Sequence, residues 1–175
     1  MTPVRSVSPT LNGFAPISDR RATLLILGSM PGIASLAASQ YYAHPRNAFW
    51  PVLEALWDIP AMAPYPQRVR AVKTAGIAIW DVLGACQRRS SLDSDIDPAS
   101  IQVNDFAGFF RRHPAVSAIA FNGGTAASLF RRHVLAGLAE QYRNLPAYQL
   151  PSTSPANARL TLQDKRRAWS VLKAR

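Results

Sequence analysis

The ten residues YYAHPRNAFW, at positions 41 to 50, bring together two tyrosines, a histidine, an arginine and an asparagine just ahead of a phenylalanine and a tryptophan. An amide offers a donor and an acceptor side by side, aromatic faces stack on flat rings, and arginine adds positive charge. Such groups suit a planar heterocycle carried on a polyanion. Three other segments supply polar groups: Asp81 after GIAIW, Asn122 in AIAFNGG, and the small hydroxyls and amide of STSPAN at 152 to 157. Other chemistries lack their residues. GSMPG at 28 to 32 has neither the dinucleotide spacing nor the lysine of a phosphate loop, although its turn can still aim N–H groups at a carbonyl or phosphate. No G-x-S-x-G elbow presents a nucleophilic serine, and with acids scarce only Asp81 stands clearly at the rim, too few for paired carboxylates. DSDID at 93 to 97 begins like a calcium loop, but Pro98 replaces the needed glycine and Asn104 the closing glutamate. His44, His113 and His133 have no metal-ligand spacing. No metal and no cofactor is expected.

These segments need a frame. The apolar runs ATLLILG (22–28), GIAIWDVL (76–83) and AVSAIAFNG (115–123) read as strands buried on both faces, with a shorter fourth at AYQLPSTSP (147–155). Helical patterns lie between them: NAFWPVLEALWDI, NDFAGFFRRH, GTAASLFRRHVLAGLAEQY and LQDKRRAWSVLKA. In the first, Phe49, Leu53, Leu56 and Trp57 share a face and Pro51 is tolerated in the first turn. Strand and helix alternating along the chain predict an α/β fold, a parallel sheet covered on both faces. Ligands of such sheets bind beyond the carboxyl ends of the strands, where the polar segments fall. The repeated F-R-R-H (110–113 and 130–133) reads as basic residues late in two helices, where positive charge suits the dipole.

At 175 residues the chain fits one domain, expected over 13–175 after a mobile leader of residues 1–12. The leader has no apolar core of a secretory signal, and no run is long enough to span a bilayer. Cys86 is the lone cysteine, which excludes an internal disulfide and a cluster bound by this chain's own thiolates. A cytoplasmic monomer is expected. Twenty Lys and Arg against ten acids give a net charge of +10, which points to a polyanionic partner, against the plain alternative of an arginine-rich background. Charge, amides and aromatics together point to a nucleobase within DNA.

At this point a family resemblance becomes visible. LILGSMPGIASLAASQYYAHPRNAFW resembles motif one of the uracil-DNA glycosylase superfamily, in wording closest to its hypoxanthine-DNA (deoxyinosine) branch. GIAIWDVLGACQRRSSLDSDI, AIAFNGGTAASLF and LPSTSPANA resemble the same branch in the same order, and the likeness runs from residue 13 to about 173. It implies a three-layer α/β/α fold with a central four-stranded parallel sheet, and excision of a deaminated base turned out of DNA. Many superfamily members carry Asp or Asn inside the motif-one turn; here Ser29 and Met30 stand there, beside Gly28, at the base pocket. The resemblance shifts the water-orienting role to Asn47, acting through its carbonyl, while helix capping is the competing role for the same side chain. His44 is either a stabiliser of the departing base or a loop-structural residue. Phe49 is expected to stack on the base, Tyr42 to wall the pocket with Tyr41, and Asn122 to read the base edge. Ser152, Thr153, Ser154, Pro155 and Asn157 resemble motif two, which presses on the DNA backbone, but lack the histidine of the uracil enzymes. Arg159 is a phosphate-contact candidate or an ordinary surface arginine. Asp81 and Ser91 to Asp93 are assigned first to loop structure. With Lys73, Lys165 and Lys173 placed away from the rim, no Schiff-base lyase step is expected. The alternatives are a uracil- or mismatch-directed enzyme of the same fold and a non-catalytic module that binds damaged DNA.

Overall fold

Leu24–Gly28 (β2) is buried along its whole length, and the reason is visible on both sides of it. It pairs in parallel with Ile77–Asp81 (β3) on one flank and Ala118–Asn122 (β6) on the other, and Ala147–Leu150 (β7) extends the sheet beyond β6. The computed structural model describes residues 8–174. Within them the sheet order is β3-β2-β6-β7, the four-stranded parallel arrangement that the apolar runs predict.

Strand alternation decides which helices cover which face. Trp80, Leu27 and Phe121 form one rung across three strands. Trp80 packs on Phe106 and Phe109 of α4 (Phe106–Arg112), with ring centroids 5.0 and 5.2 Å apart. Phe121 meets Phe130 of α5 (Gly124–His133) at 5.3 Å. The opposite face carries α2 (Phe49–Trp57) and α7 (Leu162–Trp169), joined where the Phe49 ring meets Trp169 edge-on at 6.1 Å. A capping box between Thr161 and Asp164 starts α7. Two further helices, α1 (Ile33–Ala38) and α3 (Tyr65–Thr74), fill the connections around β3. Both F-R-R-H segments close their helices, with Arg111 and Arg112 in the last turn of α4, and Arg131 to His133 in that of α5.

The structure corrects two expectations. Thr10–Asn12 (β1), assigned to the leader, pairs antiparallel with Leu83–Gln87 (β4), which in turn pairs with Gln102–Val103 (β5). This small second sheet lies outside the predicted elements, and the rest of the leader, residues 1–7, lies outside the described residues. The helix predicted through residue 142 stops at His133; a turn and the short α6 (Glu140–Arg143) replace its second half. The outer edge of β3 is closed by Ile17, which exchanges backbone hydrogen bonds with Ile79 at 2.9 and 2.8 Å. Among the described residues no helix is long and apolar enough to cross a membrane.

Candidate active site

The chain runs from β2 outward to β3 and then returns to the far flank of β2 as β6, so the topological switch lies between β2 and β6. A cavity of about 870 Å³ opens there. Its floor is the last rung of the sheet, where Asp81, Gly28 and Asn122 end three neighbouring strands. Gly28 is required by space: a Cβ there would stand 2.4 Å from Asp81 Oδ1 and 3.0 Å from the Tyr42 hydroxyl. The missing side chain lets a carboxyl and a phenol converge over bare backbone.

Asp81 is 3 % exposed, and its Oδ2 has no hydrogen-bond partner. Burial pushes its pKa up to about 7; the Asp93 charge adds to the rise and Arg88 opposes it. Near neutral pH a large share of this carboxyl is therefore protonated, and a protonated carboxyl can donate as well as accept. The Tyr42 hydroxyl is likewise buried and unpartnered. The Asn122 amide lies close enough to favour the phenolate slightly, but outside hydrogen-bond geometry; burial dominates and keeps the phenol protonated far above its usual range. These two unsatisfied groups belong to a site that awaits polar atoms from elsewhere.

Asn122 is oriented rather than free. Its Oδ1 accepts from the Thr153 N–H at 2.8 Å, and its Nδ2 donates to Thr153 Oγ1 at 2.9 Å. The backbone donor decides which way the amide faces. Each bond uses one of two donor hydrogens or lone pairs, so one donor and one acceptor remain for a ligand. Gly123, in a left-handed conformation with φ 103°, then turns the chain into α5.

The mouth is built from loops. Asn47 Oδ1 accepts from the Phe49 N–H at 3.0 Å, which satisfies one orphan donor at the start of α2 and leaves a second lone pair on the cavity wall. The N-cap itself is Ala48, which makes no side-chain bond; Asn47 serves the first helical N–H from one residue ahead of the cap, without exhausting its side chain. His44 Nδ1 accepts from the Arg46 N–H at 3.1 Å, so in the neutral ring Nε2 carries the proton. Phe49 is a correction. It is fully buried, and its ring stacks against Tyr42 with centroids 3.7 Å apart, so Tyr42 and not Phe49 walls the cavity. Tyr42 holds that position through a left-handed backbone, φ 55°, a strained choice for an aromatic residue. Tyr41 also lines the cavity, but its hydroxyl donates to Ala15 O at 3.0 Å and it packs on Phe14 as part of the core.

Two loops flank the opening. On one side the Ser29 hydroxyl donates to Asp93 Oδ1 at 2.6 Å, and the buried Arg88 guanidinium donates to Pro31 O at 2.5 Å and lies 3.9 Å from Asp93. Ser29 is committed to this brace, while Met30 is nearly buried beneath it. On the other side Ser152, Ser154, Pro155 and Asn157 line the cavity together with the exposed Arg159. Asn157 Nδ2 ties the loop to Ser152 O at 3.0 Å. Lys165, expected away from the rim, is 5 % exposed and reaches Ser154 O at 3.4 Å, with burial lowering its proton affinity. It supports this loop from beneath and does not line the cavity. Among the described residues no group of three or more His, Cys, Asp or Glu gathers as a metal site.

Sequence reasoning left two contributors out of the site. Asp81 was assigned to loop structure, although its place at a strand end was a signal; Arg46, quoted within YYAHPRNAFW, also lines the mouth. Residues 15–173 match the family model for the Uracil DNA glycosylase superfamily. A Methanosarcina acetivorans protein named Hypoxanthine DNA glycosylase is 31 % identical over 161 residues, 91 % of this chain and 96 % of its own. A protein of the same name from Methanosarcina barkeri is 35 % identical over 113 residues, 63 % of this chain and 70 % of its own. The solution NMR structure of a Methanosarcina acetivorans chain described as a candidate uracil DNA glycosylase superposes with a TM-score of 0.76 at 29 % identity, covering 94 % of this chain and 99 % of the other. This chain belongs to the uracil DNA glycosylase superfamily.

Proposed function

We propose that this protein is a DNA glycosylase of the cytoplasm that turns deoxyinosine out of DNA and hydrolyses its N-glycosidic bond. The observation that carries the reading is the cavity floor: a carboxyl and a phenol, buried and unpartnered, beside an amide of fixed orientation. Hypoxanthine presents O6 as an acceptor beside N1–H as a donor. A protonated Asp81 donates to the first, and the remaining acceptors of Asp81 and Asn122 serve the second. Adenine reverses that order against groups held in place, and the names of the two Methanosarcina relatives point to the same base.

Bond breaking leads. The electron pair of the C1′–N bond departs with the base, and Asp81 at the floor meets the growing negative charge. Tyr42, backed by Phe49, holds the ring. Water then adds to the cationic sugar carbon, its oxygen oriented by the free lone pair of Asn47, and its proton passes to solvent. An amide is a poor base, which suffices because the sugar is already oxocarbenium-like. The Nε2–H of neutral His44 is a donor at the same mouth.

The test is a base-release screen on duplexes carrying hypoxanthine, uracil, xanthine or a mismatched thymine. Hypoxanthine is expected to be released fastest. Faster uracil release moves the preference to the pyrimidine, whose O4 and N3–H repeat the same edge. Release of no base supports the non-catalytic module, a reading with one observation behind it: the motif-one Ser29 is spent on Asp93.

A further inference from the structure

We propose that the ends of α4, α5 and α6 form a second polyanion face, at the far side of the sheet from the cavity, which holds a second segment of duplex DNA. The inference goes beyond the proposed function and shares with it only DNA as the partner.

The cavity stands at the carboxyl ends of the strands, and these helices lead away from it. α5 leaves the carboxyl end of β6 and runs back along the sheet, while α4 and α6 end just before the chain re-enters it at the amino ends of β6 and β7. Aromatic contacts tie the three helices together. Phe106 of α4 meets Phe130 of α5 edge-on at 5.3 Å, and Phe110 of α4 stacks on Tyr142 of α6 at 4.6 Å. The Tyr142 hydroxyl also donates to Phe110 O at 3.3 Å. Phe110, Phe130 and Tyr142 are each followed at once by an exposed arginine: Arg111, Arg131 and Arg143. Arg112 and Arg132, also exposed, stand next to the first two. None of the five lines the cavity.

Local structure does not use up this charge. A helix end carries about half a negative charge on its free carbonyls, whereas α4 ends in two arginines and α5 in two arginines and a histidine. Acids do not absorb the remainder. Among the described residues the ion pairs are Arg21–Asp19 and Arg88–Asp93, neither of them on this face. Arg131 Nη1 donates to Gln149 Oε1 at 3.5 Å, a neutral partner. The cavity wall, in contrast, sets its exposed Arg46 and Arg159 against Asp81 and Asp93. Much of the surplus behind the +10 balance thus stands away from the rim. A guanidinium meets two phosphate oxygens through parallel N–H bonds, so arginines gathered on one face suit a nucleic-acid backbone. With DNA held on each side, the chain keeps one segment while its cavity searches another.

The test tethers a short undamaged duplex to beads, adds the protein, and measures capture of a second, fluorescent duplex. Single-turnover release of hypoxanthine from a free deoxyinosine duplex is measured beside it. Wild type is expected to capture the second duplex, with capture fading as salt rises. Arg111→Gln, Arg112→Gln, Arg131→Gln and Arg132→Gln combined should lower capture more than about tenfold and leave release within about twofold of wild type. The pair Arg131→Gln and Arg132→Gln alone should already lower capture by about threefold or more. Lysine at the same four positions keeps the charge and should restore it. Equal capture by the glutamine variant would mean that two copies of the chain bridge the duplexes through their cavities, and overturns the face. Loss of release in step with capture, with lysine restoring both, puts the arginines at a single DNA site and overturns it as well. A wild-type protein that captures no second duplex but retains poly-glutamate would turn the face toward an acidic protein instead. One that captures the duplex and releases no base leaves the face standing and sinks the pocket reading alone.

Discussion

The floor and the mouth of the cavity treat their polar atoms in opposite ways. At the floor, Asp81 Oδ2 and the Tyr42 hydroxyl are buried without partners. At the mouth, Asn47, His44, Ser29 and Asp93 already hold local hydrogen bonds. Asp81 is placed at the floor by strand register and Tyr42 by its left-handed backbone; mouth groups are placed by the bonds they make to their own loops. An unsatisfied atom is costly inside and cheap outside, so the two at the floor suit a ligand that brings polar atoms of its own, while Arg88 of the brace also keeps a buried N–H without a partner. On the proposed function, the floor recognises and the mouth acts.

The sharpest break in that division is Asn47→Ala against Asn122→Ala. Asn47→Ala is expected to slow single-turnover release by about 10²- to 10³-fold with little change in DNA affinity, because its bond is made to water in the transition state. It should also destabilise the fold by about 1 kcal/mol through the lost bond to the Phe49 N–H. Asn122→Ala should instead blur the preference among bases, and Asn122→Asp should excise deoxyinosine more slowly still, since a carboxylate repels O6. A folded Asn47→Ala enzyme running at wild-type rate would move the water-orienting role to His44.

Charge comes next in size. The +10 balance predicts affinity for duplex falling linearly with salt on logarithmic axes, with a slope of about −0.9 per phosphate neutralised. For about four phosphates the loss between about 50 and 200 mM is on the order of 10²-fold. Affinity that holds constant across that range would detach the basic surface from DNA.

The floor has its own signature in pH. Asp81 ionises near 7 when folded, against 3.8 for an unperturbed carboxyl. Between those values the folded chain holds a proton that the unfolded chain has released. Stability therefore declines as pH rises through that window and levels off above it. Asp81→Asn should remove the slope and be the more stable protein at about pH 8, as read by denaturant unfolding. If the protonated carboxyl donates to the base, wild-type release also drops about tenfold from about pH 6 to 8, and the variant's does not. A wild-type profile flat over that range would take Asp81 out of base reading.

The smallest effect belongs to Tyr42→Phe. Removing a buried hydroxyl without a partner should leave the unfolding midpoint equal or higher, while discrimination between hypoxanthine and adenine weakens by a few-fold. A large loss of stability would mean that the hydroxyl has a bond in solution.

The same contrast explains what could be read from sequence. The four parallel strands were legible because burial on both faces leaves uninterrupted apolar runs such as LLILG and IAIWD. The second sheet was not, since Gln102–Val103 is too short to show a period and Leu83–Gln87 follows β3 after a single residue. Asn47 and Asn122 were found as amides beside turns. Asp81 was seen at a strand end, but its direction depends on register against Gly28, a property of two strands together. Tyr42 walls the cavity as expected, but Phe49 lies behind it, because a positive φ at Tyr42, invisible in the letters, swings its ring over the helix residue. Lys165 lies under a loop eleven positions earlier, and only the packing of α7 brings it there.

One backbone bond gives the site a clock. The Ala48 N–H donates to Thr153 O at 3.0 Å, next to Asn47 on one loop and to the residue that orients Asn122 on the other. The two asparagines therefore share a hinge pin, and neither loop can swing away without releasing the same hydrogen. Deuterium entering at Ala48 times the parting of both, and bound DNA that clamps the loops should slow it, so a single amide counts how often the assembled site comes undone.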